Sequence, residues 1–216
     1  MKTRFLFPIL LLTLTITLTA CASKEKPPRE RDETFVGDVN PFNVGTFHLY
    51  ASFGISRPKV CDFYATFYPR SNMLYLKGQV GIDIVQAGFS FNERKSISAA
   101  KDKYLESYTE GTIKKEKPTK KNAISTGYVP FNWGVLSPGY HTTTQYITNV
   151  EFILENKPYF RIQFQQTRGE GDDEGQSSPK TNIYISPSQW ETIVQACNQA
   201  RLEEITDEIL AEANAF

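Results

Sequence analysis

Two histidines, three cysteines and two runs of like charge are the residues of this chain equipped for chemistry beyond packing. His48 and His141 lie far apart, and neither has a cysteine, a second histidine or an acidic residue at a metal-ligand spacing. No metal site is therefore expected, and no cofactor. The sequence contains no GxSxG elbow, HExxH pair, P-loop or dinucleotide fingerprint. A nucleophilic cysteine needs a base beside it, and the spacing nominates none. Motif-bearing enzymes are thus excluded, while an enzyme that assembles scattered carboxylates would leave no such trace.

Three further stretches could bind rather than react. The loop IKKEKPTKK gathers Lys114, Lys115, Lys117, Lys120 and Lys121, which could meet anionic headgroups or polyanions at about 1 kcal/mol per cation; the plainer expectation is a solvated connection. Glu170, Asp172, Asp173 and Glu174 crowd into GEGDDEG, but their spacing is not that of an EF-hand, and a flexible acidic loop is the simpler reading. The segment YVPFNWGVLSPGYHTTTQY carries Tyr128, Phe131, Trp133, Tyr140 and Tyr146 among Pro and Gly turn residues. Exposed on a loop, those rings would suit a protein or glycan partner. The competing expectation is that they form strands or pack over a sheet.

The amino terminus is more specific. Lys2 and Arg4 precede an uncharged run from Phe5 to Leu18, and Thr19, Ala20, Cys21, Ala22 and Ser23 follow. That order matches the charged, apolar and small-residue regions of a secretory signal. Fourteen helical residues would span about 21 Å, short of a hydrocarbon core of about 30 Å. Leu18-Thr19-Ala20-Cys21 resembles the lipobox of bacterial lipoproteins. The resemblance covers residues 1–21 and implies cleavage after Ala20, a diacylglycerol on Cys21 and attachment to a membrane through that lipid. The alternative is an ordinary secretory signal in which the cysteine is incidental. Ala22 is not the aspartate that resembles an inner-membrane retention signal in enteric-type bacteria, so the outer membrane is favoured over the inner.

Without residues 1–20, 22 Lys and Arg stand against 24 Asp and Glu, and this near-neutral balance argues against a nucleic-acid binder. Fifteen Phe and 11 Tyr favour strands. In an oxidising compartment Cys61 and Cys197 invite a disulfide, with two separately buried thiols as the equal alternative. Residues 21–34 read as a lipidated start and a solvated tether rich in charge and proline.

The folded part, 35–216, reads as a single α+β domain, rich in antiparallel strands and holding two helices. Strand-like runs span Val44 to Phe53, Val60 to Tyr68 and Met73 to Val85, the last broken near Gly78 and Gly81. Asn92 is placed to cap a helix that Gly111 stops. A second series runs from Gln145 to Leu154, Tyr159 to Gln166 and Asn182 to Ile185, then a helix from Pro187 behind Ser186. That helix continues through the carboxyl terminus. The two series predict pseudo-repeats over 35–112 and 122–216. The stretch IYISPSQWETIVQA resembles the strand-to-helix edge of Whirly- and Pur-type folds, whose families bind single-stranded nucleic acid. The neutral chain and the envelope location weigh against that activity here. The sequence therefore points to a non-enzymatic envelope lipoprotein serving binding, adhesion or assembly, with a hydrolase-like envelope enzyme as the rival.

Overall fold

The computed structural model describes residues 33–80, 83–115, 119–135, 139 and 141–215. Cys21, the tether before residue 33, Lys117 and Tyr140 lie outside the described residues. From Asp32 onward the chain forms one compact unit. Eight antiparallel strands follow one another around a closed barrel: β1 (Phe42–Phe53), β2 (Lys59–Tyr68), β3 (Met73–Val80), β4 (Asp83–Phe89), β5 (Ser125–Val135), β6 (His141–Leu154), β7 (Lys157–Phe164) and β8 (Thr181–Ile185). Closure comes from β1 against β8, with Tyr50 opposite Tyr184 and Phe53 opposite Thr181. A closed barrel leaves no sheet edge to recruit another chain.

The period-2 pattern decides which side faces in. Phe47, Leu49 and Ala51 of β1 and Phe63, Ala65 and Phe67 of β2 point to the interior and are buried. Val129 and Phe131 of β5 and Phe160, Ile162 and Phe164 of β7 do the same. Eight strands enclose a space just wide enough for side chains, and here aromatic rings fill it. Room for them comes from small residues: Gly78 stands directly opposite Phe63, and a Cβ on it would lie 2.4 Å from that ring. The outward residues of β1–β3 include His48, Asp62, Lys77 and Gln79, all exposed. The interior is thus apolar, while the outer face mixes these polar residues with exposed Tyr50, Val60 and Tyr64.

All helices gather at one end. The first, α1 (Phe91–Glu110), starts where Ser90 Oγ accepts the Glu93 amide (3.3 Å) and stops at Gly111 in the left-handed region, φ 68°. Ile97, Ala100 and Tyr104 form its inner face, and the Tyr104 ring meets Phe160 edge-on at 5.7 Å. After β8, Ser186 and Gln189 make a reciprocal capping box with Pro187 in the first turn of α2 (Pro187–Cys197). Trp190 packs on Phe160 from the other side at 5.1 Å. Asn198 then interrupts: its backbone is extended and its side chain accepts the Arg201 amide (2.9 Å), starting α3 (Gln199–Ala213). The chain enters at this same end, where Val36 N–H donates to Pro69 O (2.9 Å) and Asn72 Nδ2 to Glu33 O (3.0 Å). Among the described residues, the connections after β1 and β7 lie at the opposite end.

The domain is thus β-rich and antiparallel with helices following strands, as expected, but several boundaries move. The run Met73 to Val85 is a hairpin of two strands, β3 and β4. Ser90, not Asn92, caps α1. The carboxyl-terminal segment does not continue α2, because Asn198 serves as a new cap. The segment from Tyr128 is strand β5 turning into β6 rather than a loop.

Candidate functional site

The outer wall from β2 to β6 carries a row of outward tyrosines, of which Tyr64 and Tyr128 are exposed and Tyr68, Tyr75 and Tyr146 half-buried. Tyr128 and Tyr146 are partners in the β5–β6 register, so their side chains leave the same face. Their ring centroids lie 5.2 Å apart, and Tyr128 is 64 % exposed. The ammonium of Lys120 sits 4.5 Å above the Tyr146 ring, a cation–π contact of roughly 0.5–1 kcal/mol at an exposed site. A short 3-10 turn, Lys120–Asn122, holds that lysine. Thr119 and Asn122 cap the turn, with Thr119 N–H donating to Asn122 Oδ1 at 2.6 Å.

A second pair, Tyr68 and Tyr75, stands 4.9 Å apart, edge to face. Between the pairs runs a flat bridge. Gly88 faces Tyr75 in the β3–β4 register, and a Cβ there would meet the Tyr75 ring at 2.8 Å, Met73 Cε at 3.0 Å and Pro130 Cγ at 3.1 Å. Those three side chains close over the bare backbone of Gly88. Burial and the neighbouring Tyr68 raise the pKa of the Tyr75 phenol above its ordinary value, so the hydroxyl stays a neutral donor. Tyr64 adds a further exposed ring on β2.

Of the aromatics expected to form a partner surface, Tyr128 lies on this wall. Phe131 and Trp133 do not: they point into the barrel and are 1 % and 6 % exposed. Alternation along β5 sends odd-numbered positions inward, which removes them from any partner surface. Tyr146 belongs to the aromatic segment singled out by sequence and joins Tyr128 here, whereas Tyr64, Tyr68 and Tyr75 were not singled out. Their shared signal is even or odd parity opposite to the buried phenylalanines, and it becomes readable only once the register is fixed.

The acidic loop between β7 and β8 is ordered by β6. That strand outruns β7, whose pairing stops at Ile147 opposite Phe164. The unpaired rim from His141 to Tyr146 is covered by the loop instead. Asp173 Oδ2 accepts the Thr142 amide (3.0 Å), Glu170 Oε1 the Thr144 amide (2.8 Å), and Gln165 N–H donates to Tyr146 O (2.9 Å). Asp173 Oδ1 also meets His141 Nδ1 at 2.7 Å, and that hydrogen bond, with the Thr142 amide, holds its carboxyl below the usual range. His141 in turn lies against Trp133, centroids 5.3 Å apart. The other histidine, His48, pairs with Asp62 across β1–β2 at 2.6 Å, fully on the surface. Among the described residues no group of three metal-ligating side chains converges.

Cys61 and Cys197 are free thiols in this structure, the second of the two arrangements the sequence left open. Cys61 faces the barrel interior from β2, with Sγ donating to Lys59 O at 3.6 Å. Cys197 ends α2 beside Arg94, and burial pushes its thiol up to about 12. The two belong to different layers, strand wall and helical cap, and each packs as a small apolar group.

The family described as "Uncharacterised Treponema protein" matches residues 30–204. A relative of the same description, from Treponema pallidum (strain Nichols), is 24 % identical over 194 residues, 90 % of this chain and 65 % of its own length. The chain therefore spans a little under two thirds of that relative. No solved structure matches it. The family match runs through the entire barrel, α1 and α2 and into α3, and the chain belongs to this family of Treponema proteins.

Proposed function

We propose that this protein is a lipid-anchored component of the bacterial cell envelope, favouring the outer membrane, whose barrel is a non-enzymatic binding module for adhesion or assembly. The observation that carries the binding reading is the exposed tyrosine wall, centred on Tyr128 and Tyr146, on a barrel whose interior is filled by its own rings. A filled interior places recognition on the outside. The anchor rests on the lipobox-like Leu18-Thr19-Ala20-Cys21. Two four-strand-plus-helix halves support the pseudo-repeat reading: β2 to β6 is offset by 82 residues, β3 to β7 by 84 and α1 to α2 by 96. The larger last offset reflects the acidic loop inserted between β7 and β8.

The rival hydrolase-like reading would use His141 with Asp173 as its orienting carboxylate. Asp173, however, and Glu170 beside it in that loop are engaged by β6 amides, which gives them a structural duty. Two measurements test the proposal. Mass spectrometry of the mature amino terminus is expected to find an acylated Cys21; an unmodified peptide spanning Ala20 and Cys21 would overturn the anchor. Purified protein is expected to be retained on isolated envelopes and released by Tyr128→Ala with Tyr146→Ala. Undiminished retention of that double variant would refute the binding surface.

A further inference from the structure

We infer that the tyrosine wall takes an acidic polysaccharide, its sugar rings lying on the tyrosine faces and its carboxylates or sulfates meeting Lys120 and Lys121. The inference rests on the binding-module reading and names its ligand class.

The wall has the shape for a chain rather than a single sugar. From Tyr75 on β3 to Tyr146 on β6 there are three strand spacings, about 14 Å along the wall. In the middle of this path Gly88 has no side chain, and the apolar side chains of Met73 and Pro130 close over its backbone beside Tyr75. Sugars present flat C–H faces and many hydroxyls. Aromatic rings cover the first, and the tyrosine hydroxyls with Thr66, Thr126 and Thr144, which also face outward, answer the second.

Charge sets the class. From Tyr64 through Tyr75, Gly88 and Pro130 to Tyr146 the outward residues are uncharged or basic, with Asp62, which pairs with His48, at the margin on β2. Lys77 stands on the wall, Lys120 touches Tyr146, and Lys121, Lys114 and Lys115 are exposed in the same connection. The nearest loop carboxylate, Glu170, is held by the Thr144 amide at the margin. A neutral glycan would leave those ammonium groups without a role. Single-stranded nucleic acid also stacks on aromatics, but it needs a cationic groove along its whole path, and acids outnumber bases in the chain after Ala20.

Calorimetric titration of the full chain decides the matter, using a hyaluronan hexasaccharide, a heparin hexasaccharide, a neutral cellohexaose, a single-stranded oligonucleotide and vesicles of phosphatidylglycerol and phosphatidylcholine in equal parts. One of the two acidic hexasaccharides is expected to bind, more weakly at high salt. Tyr128→Ala and Tyr146→Ala should each weaken it about tenfold, and Lys120→Gln several-fold, with thermal melts showing that the variants fold. The inference is overturned by equal binding of cellohexaose, by binding of the oligonucleotide or the vesicles alone, by acidic-glycan binding that the variants leave intact, or by no binding to any probe. Tyrosine-dependent retention on envelopes without acidic-glycan binding would sink this ligand class and spare the binding module. Loss of both would sink both.

Discussion

The carboxylate of Asp173 bridges two groups of the same strand, taking His141 Nδ1 at 2.7 Å through one oxygen and the Thr142 amide at 3.0 Å through the other. Through this bridge the long β7–β8 loop becomes a cover for the part of β6 that β7 does not reach. The hydrogen bonds that a ninth strand would have made are supplied by side chains and loop backbone.

That bridge should respond to acid. The folded-state pKa of Asp173 is depressed, chiefly by His141 and then by the Thr142 amide. Its contribution is therefore complete above the ordinary carboxylate range near 4 and disappears as pH falls through the lower folded value. Hydrogen exchange is expected to show the Thr142 amide losing protection in acid before the β2–β3 amides do. Asp173→Asn should produce that early opening already at neutral pH.

Gly78 is predicted to tolerate no side chain. Its Cβ would stand 2.4 Å from the Phe63 ring, which is itself fully enclosed and has nowhere to swing. Gly78→Ala should cost about 1–3 kcal/mol through overpacking, read as a lowered denaturation midpoint with unchanged slope. Phe63→Leu in the same chain should recover part of the loss.

Arg94 ties the helical cap to the barrel. It donates to Asn72 O (2.9 Å), Phe89 O (2.8 Å), Asn72 Oδ1 (2.7 Å) and Gln199 Oε1 (2.6 Å), with Phe67 beneath its guanidinium at 5.5 Å. Burial lowers its pKa to about 10, which still leaves it charged at neutral pH. Asn72 adopts φ 49°, a left-handed conformation that asparagine tolerates, and Arg94 fixes it there. Arg94→Met should destabilise by about 3 kcal/mol, because buried carbonyls lose their donors. A thermal melt measures the loss, and proteolysis should then cut first near α3.

The thiols give a prediction about redox state. Burial raises the pKa of both Cys61 and Cys197, so iodoacetamide should react slowly with the native protein at neutral pH. Electrophoretic mobility should not change with reductant. After unfolding, two thiols should titrate if Cys21 is acylated and three if it is not, so the same count reports on the anchor.

Much of the outline was legible from sequence because it depends on local rules. Alternating residues mark half-buried strands, and Ser186 with Pro187 and Gln189 announces a helix start whatever the surroundings. The charged, apolar and small-residue order of the first 21 residues likewise needs no fold to interpret. For β5 the sequence left strand and loop open, because Pro130, Gly134 and the turn residues after it imitate a loop; cross-strand pairing with β4 and β6 decides for the strand.

What only the tertiary structure decided is which aromatics are available. Trp133 and Tyr128 lie five residues apart in one strand, and their types alone suggest the same role. Opposite parity on a closed barrel buries the first and exposes the second. Whether the β1 and β8 ends meet is a long-range pairing that no local window contains, and closure is what assigns an inside to every strand. Sequence by itself determined most of the strand and helix segments and the charge balance, through short-range backbone and transfer energetics. The barrel's register determined the surface, because a shift of one residue would have turned every tyrosine inward.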